Sequence, residues 1–233
     1  MACILNIETS TPVCSVALSL NGNLVFERCD KEGPSHAVVL GLFVQEALAF
    51  VRAKGLALDA VAVSCGPGSY TGLRIGVSMA KGLCFALDLP LIAIETTKIM
   101  AASVIDKGLA ERDALLCPML DARRMEVYAT LYDTALEKVR DTQADIVDAD
   151  TYASYLETGK VLFFGNGAVK CKEAIAGANA VFIDGIDPLA SAMGSLAEGA
   201  FSQGKFENTA YFEPFYLKEF IATKAKNKVL NQQ

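Results

Sequence analysis

Alternating apolar and polar positions run through the first thirty residues. "CILNIETS", "CSVALSL" and "LVFERC" read as three strands, the last two joined at Asn21-Gly22. Asn-Gly between alternating runs is a strong hairpin signal, because the tight two-residue turn needs positive φ at both centres. An antiparallel meander is therefore predicted. From Pro34 to Arg52 the period becomes helical, with Pro34 suited to the first helical position. This helix has no polar face: Val38, Val39, Leu40, Leu42, Phe43, Val44, Ala47, Leu48, Phe50 and Val51 go nearly all round it. An ordinary surface helix carries one apolar stripe, so this one must be covered on two sides. "AVAVS" predicts a buried strand, Tyr70–Leu87 a second helix and "LPLIAI" a further strand, which makes a β-α-β unit with a parallel pair. Glu95 opens a third helix that runs to about Asp106.

The second half begins near Asp113. "ALLCPMLDARRMEVYATLYD" reads as strand, turn, strand, and Leu131 to Val147 as an extended arm. Residues 150–157 read as helical, and "VLFFGNG" as a strand running into a glycine turn. Asp187-Pro188 has the form of an N-cap with proline at the first helical position. The helix expected there carries Leu189, Met193, Leu196, Ala197, Ala200 and Phe201 on one stripe, a core face. "AYFEPFYLKEF" reads as a short strand or turn before a lysine-bearing tail. The halves echo one another. Each opens with a strand-turn-strand bearing an acid ("NIETST", "MLDARR"), and each has a strand entering a glycine turn ("VAVSCGPG", "LFFGNG"). A duplicated α/β architecture is expected, with lobes at residues 1–106 and 107–233.

Composition narrows the function classes. Hydrophobic residues make up 52% of the 233 and charged residues 21%, which suits a packed core and not disorder. The net charge of −6 disfavours stand-alone binding to nucleic-acid backbones. The start, "MACILNIETS", lacks a positive n-region, and the long apolar run "MAKGLCFALDLPLIAI" is broken by Lys81, Asp88 and Pro90. No secretory signal or membrane span is expected, and the reading is cytoplasmic. Seven cysteines without a C-x-x-C read as reduced, buried thiols. The one histidine, His36, has no partner for a triad and reads as a surface or capping residue.

The most distinctive stretch is "SCGPGSYTGLRIG", residues 64–76. It does not match the P-loop spacing, and its third glycine, Gly72, comes one position late for the dinucleotide fingerprint. Pro67 removes a backbone N–H from the would-be phosphate cradle. Gly66, Pro67, Gly68, Ser69, Thr71 and Arg74 therefore read as a strand-to-helix turn. Gly72, Gly76 and Ala80 recur every four residues, a smooth strip for close approach of another backbone. One reading packs it on the chain's own neighbouring helix. The other joins it to helix 34–52 as a docking surface made of Val39, Leu42, Phe43, Gly72, Leu73, Gly76, Met79, Ala80 and Leu83. Glu8 and Asp121 end strands in the two echoing units. Such acids can hold a metal or orient water, but no metal-ligand spacing surrounds them, and a turn-capping role is favoured.

Four segments carry a resemblance: "ILNIETSTPVCSVAL", "GPGSYTGLRIGVSMAKGL", "DARRMEVY" and "EPFYLKEF". In this order, and over nearly the whole chain, they resemble the TsaB (YeaZ) family of bacterial tRNA threonylcarbamoyladenosine biosynthesis. The resemblance implies an α/β fold of the actin-like, sugar-kinase and Hsp70-type ATPase class, with two duplicated lobes. It implies work with TsaD and TsaE, where TsaD moves a threonylcarbamoyl group from its adenylate to N6 of the adenosine beside the tRNA anticodon. TsaD binds metal through an H-x-x-x-H pair. Here the position four after His36 is Leu40, so that metal chemistry lies outside this chain. The resemblance places homodimer and TsaD contacts on the first two helices, here 34–52 and 70–87. It makes Glu8, Thr9, Ser10, Asp121, Arg123, Gly165 and Gly167 vestigial nucleotide-site loops. The first hairpin, Glu8-Thr9-Ser10-Thr11, and the second, Asp121-Ala122-Arg123, lack the glycine of active ATPases. The chain is expected to be a non-catalytic subunit without protease machinery. No cofactor is expected on the chain alone, ATP only in the complex, and tRNA indirectly. The alternative is an autonomous nucleotide-binding enzyme, kinase- or dehydrogenase-like, on the same lobes.

Overall fold

In the computed structural model, residues 2–33 and 36–218 are described. Pro34 and the lysines beyond Lys218 lie outside them. The first sheet holds β1 (Cys3–Glu8), β2 (Cys14–Leu20), β3 (Asn23–Asp30), β4 (Ala60–Gly66) and β5 (Leu91–Glu95), in the order β3-β2-β1-β4-β5. The hairpin turn forms as the dipeptide predicts, with Asn21 at φ 51° and Gly22 at φ 77°. The meander β1-β2-β3 is antiparallel, while β4 and β5 extend the sheet in parallel with β1. The second sheet holds β6 (Leu115–Asp121), β7 (Glu126–Tyr132), β8 (Lys138–Ile146), β9 (Val161–Phe164) and β10 (Ala180–Ile183). Its order, read from the meander edge, is β8-β7-β6-β9-β10. The first three strands are again antiparallel and the last two parallel. The topology is thus repeated strand for strand, which is the duplicated α/β architecture of the actin-like fold.

Helices α1 (His36–Ala53) and α2 (Tyr70–Leu87) cover one face of the first sheet. Leu40, Val44, Ala47 and Val51 of α1 pack with Leu5, Ile7, Val16 and Val77. α1 is long and apolar enough to cross a bilayer, yet this buried row seats it as a core helix of the lobe. The opposite face of the sheet is covered by later chain. Ile4, Ala17, Ala62 and Ile94 pack against Ile99 of α3 (Thr96–Asp106) and against Ala190, Met193 and Ala197. The other side of α3, Met100, Ala101 and Val104, packs on Leu116, Tyr132, Leu162 and Phe164 of the second sheet. Packing therefore crosses residue 106 in both directions. The second lobe adds the short α4 (Ala153–Thr158).

Two segments depart from expectation. The arm at 131–147 is a full strand for much of its length: β8 pairs with β7 from Glu126↔Ile146 to Tyr132↔Lys138. Its charged residues sit on the outer edge, where solvent tolerates them. Asp187-Pro188 starts no helix. A 3-10 turn occupies Ala190–Met193, and α5 runs Gly194–Ser202. The Ala190 N–H donates instead to Ser15 Oγ at 2.9 Å, and Asp187 pairs with Lys31 at 3.1 Å. The sheet, and not the local acid, caps this segment. Its predicted stripe does face a core, that of the first lobe.

Candidate interaction face and interlobe cleft

The glycine turn owes its shape to two pieces of the chain's own backbone. Gly66 sits at φ +116°, and the Gly66-Pro67 peptide is cis. Cys65 O accepts the Phe215 N–H at 2.7 Å, and a Cβ on Gly66 would come within 2.5 Å of Phe215 O. On the other side, Ser69 N–H donates to Ser10 O at 2.6 Å, and Thr9 Oγ1 donates to Gly72 O at 2.8 Å. Ser69 also caps α2, its Oγ accepting from Gly72 N–H at 3.2 Å. A Cβ at Gly68, Gly72 or Gly76 would lie closer than 3.0 Å to Ser10 or Thr9.

This geometry corrects the docking-strip reading. Gly72, Leu73, Gly76 and Ala80 are buried. The small-residue strip admits the β1–β2 loop and offers no surface to a partner. Of the other residues assigned to that surface, Val39, Phe43, Met79 and Leu83 are half-buried and Leu42 is exposed. The open face of α2 is the stripe Thr71, Ile75, Ser78 and Gly82, with Ala37 of α1 opposite, and Met79 and Leu83 of the assigned surface border it. These residues line a cleft of about 810 Å³. Gly41 and Gly82 have open space where a Cβ would be. Val38 is 72% exposed and Leu42 55%. The expectation of cover on both sides of α1 is met on the sheet side only. Sequence reasoning missed Gly41, Gly82 and Val38, although their helical phase, opposite to the buried rows, carried the signal.

A second cleft, about 670 Å³, separates the lobes. One wall is Ser10–Pro12 and the turn Pro67–Thr71. The other is Leu120–Arg123, Tyr128 and Asn166, and Phe215–Lys218 closes the end. The loops assigned as vestigial nucleotide sites divide here. Glu8 is fully buried behind Ser10. Its Oε1 accepts from Ser10 N–H at 2.8 Å and from the Ser10 hydroxyl. Burial pushes its pKa up to about 7, against the lowering effect of those hydrogen bonds. Thr9 is likewise buried and holds α2. Asp121 is exposed and pairs with Lys170. Gly165 (φ 101°) and Gly167 pack on the backbone of Met119 and Leu120, supporting β6 from behind. Between them Asn166 reaches the cleft and accepts the Asp121 N–H at 2.9 Å.

His36 is not a surface residue. It is buried, its Nε2 2.8 Å from Thr11 O, and so ties α1 to the β1–β2 loop. Six cysteines are buried and Cys29 is exposed. Among the described residues no three His, Cys, Asp or Glu side chains gather as a metal site.

Comparison with known proteins adds what geometry cannot. The chain is 31% identical over 229 residues to the tRNA threonylcarbamoyladenosine biosynthesis protein TsaB of Escherichia coli K12, covering 95% of this chain and 96% of that one. The chain belongs to the TsaB (YeaZ) family. The TsaB of Bacillus subtilis 168 is 33% identical over 176 residues, 74% of each chain. The solved structure of YeaZ from Pseudomonas aeruginosa superposes with a TM-score of 0.80 at 25% identity, over 93% of this chain and all of that one. A family model described as TsaD, tRNA N6-adenosine threonylcarbamoyltransferase, matches residues 31–226. The chain thus shares that family's scaffold, and the match spans both α1 and α2.

Proposed function

We propose that this chain serves tRNA threonylcarbamoyladenosine biosynthesis as a non-catalytic subunit that docks a TsaD-type transferase, with TsaE, through its α1–α2 face. One observation carries the reading: α1 turns Val38 and Leu42 to solvent, and between α1 and α2 lies an open cleft lined by Ala37, Ile75, Met79, Gly82 and Leu83. Uncovered apolar surface with room for close approach is what a partner helix requires. In the absence of the transferase the same face pairs two copies of this chain. ATP belongs to the assembly, because the acid that would face a phosphate, Glu8, is sealed behind Ser10. A reaction on tRNA sets the work in the cytoplasm.

The test is reconstitution. Threonylcarbamoyl transfer by a TsaD-type transferase with TsaE should collapse without this chain, and undiminished transfer defeats the reading. Leu42→Asp places a charge on the open face without touching the core. It should abolish co-elution with the transferase while leaving the thermal midpoint unchanged. The enzyme reading is separated by calorimetry with ATP and NAD on the isolated chain, where micromolar binding with turnover would favour it.

A further inference from the structure

We propose that the mouth of the interlobe cleft contacts single-stranded RNA directly, with phosphates on Arg123 and Arg124 and unpaired bases against Tyr216 and Phe215. The choice of RNA among anionic partners rests on the function proposed above; the surface itself does not.

The hairpin turn between β6 and β7 spans residues 122–125. It is closed by Ala122 N–H to Glu126 O at 3.0 Å and Glu126 N–H to Arg123 O at 3.1 Å. Arg123 sits at φ 70° and Arg124 at φ 48°. L side chains enter that region sparingly, and glycine or asparagine does so more easily. The chain nonetheless places two consecutive arginines there, both exposed. Among the described residues neither guanidinium has a hydrogen bond or an ion pair. Local acids are already answered: Asp121 by Lys170 and Glu126 by Lys218. In a neighbouring depression Glu213 offsets Arg74. Arg123 and Arg124 therefore stand as a free positive pair on a chain of net charge −6.

The aromatic side is built in advance. Phe215 is 43% exposed and Tyr216 36%. Phe215 is fixed by its N–H to Cys65 O, and the Tyr216 ring lies 5.0 Å from that of Tyr70. Rings held in place spare much of the ordering cost of binding. Unpaired guanidiniums suit phosphate, and exposed ring faces suit bases that are not stacked in a duplex.

The experiment measures anisotropy of a labelled RNA hairpin with an unpaired loop, and of a duplex of equal length, against the full chain over a salt series. Arg123→Asn/Arg124→Asn removes both charges and leaves residues that accept the left-handed backbone. It should weaken hairpin binding and flatten the slope of log K on log salt by about 1.4, near 0.7 for each phosphate no longer neutralised. Tyr216→Ala should weaken binding by about tenfold with the slope kept, and Tyr216→Phe should restore it. An unchanged slope in the double variant, or equal binding of duplex and hairpin, overturns the proposal. So does loss of co-elution with the transferase at unchanged RNA binding, which would make the surface a protein contact. Because RNA binding is read on the chain alone, failure of wild type to co-elute counts against the proposed function and leaves this result standing.

Discussion

Alanine at three glycines of one helix should give opposite results, decided by what each would touch. Gly82 faces open space, so Gly82→Ala should stabilise by up to about 1 kcal/mol through helix propensity alone. A Cβ on Gly72 would lie closer than 3.0 Å to Thr9 O, with Thr9 C at 3.3 Å. That carbonyl belongs to a backbone fixed between β1 and β2 and cannot turn aside. Overpacking of this kind costs about 1–3 kcal/mol, so after a propensity gain of about 1 kcal/mol Gly72→Ala should be about 0–2 kcal/mol less stable than the parent, and well below Gly82→Ala. At Gly76 the obstacle is Thr9 Oγ1, a side-chain atom. It can move only by giving up its 2.8 Å bond to Gly72 O, and an unpaired buried hydroxyl costs about 1–3 kcal/mol. The pair is separated by Thr9→Ala. That change removes Oγ1 and leaves only Thr9 Cβ, at 3.4 Å from the new methyl, so Gly76→Ala should be rescued. Gly72→Ala should not be, because the carbonyl remains. Urea denaturation followed by far-UV circular dichroism reads all these variants, the chain having no tryptophan. If Gly72→Ala or Gly76→Ala proves as stable as Gly82→Ala, or Thr9→Ala rescues both equally, the glycines do not exist to admit the β1–β2 loop.

Glu8, held near 7 against an ordinary 4.5, binds its proton more tightly folded than unfolded. Its contribution should fall as pH rises from about 4.5 and level off above about 7, a loss of about 3 kcal/mol. Glu8→Gln should flatten the stability difference between about pH 5 and about pH 8, and an unchanged difference would sink the assignment. Lys81 Nζ donates to Ala210 O at 3.2 Å and Phe212 O at 3.0 Å. Lys81→Met should raise hydrogen exchange at the Phe215 amide by about fivefold, equivalent to about 1 kcal/mol of local opening. Uniform exchange across the fold would count against a local tie.

Much of the fold was legible because its signals are local. Asn21-Gly22 named its own turn, the apolar runs of β1 and β4 named buried strands, and the echo of "NIETST" in "MLDARR" anticipated the repeated topology. The misses came from partners far away in sequence. Asp187-Pro188 looked like a cap, but the cap came from Ser15. The four-residue period of Gly72, Gly76 and Ala80 correctly signalled close approach. Periodicity could not say that the approaching backbone was Thr9, more than sixty residues earlier. His36 looked solitary for the same reason, since the carbonyl it meets lies in the β1–β2 loop. Nothing in the period marked Arg123 and Arg124 as left-handed, because that conformation favours glycine and the turn has none.

The cover on the inner face of the first sheet has a consequence for synthesis. Ile4, Ala17 and Ala62 are shielded by Ala190, Met193 and Ala197, so these residues wait for others made more than a hundred residues later. At roughly 5–20 residues per second, a ribosome leaves that face bare for roughly 5–20 s after α3 has been made. The amino-terminal lobe therefore cannot mature as an independent unit during translation. A nascent chain stalled before α5 should recruit holdase chaperones through those side chains and release them once the segment emerges.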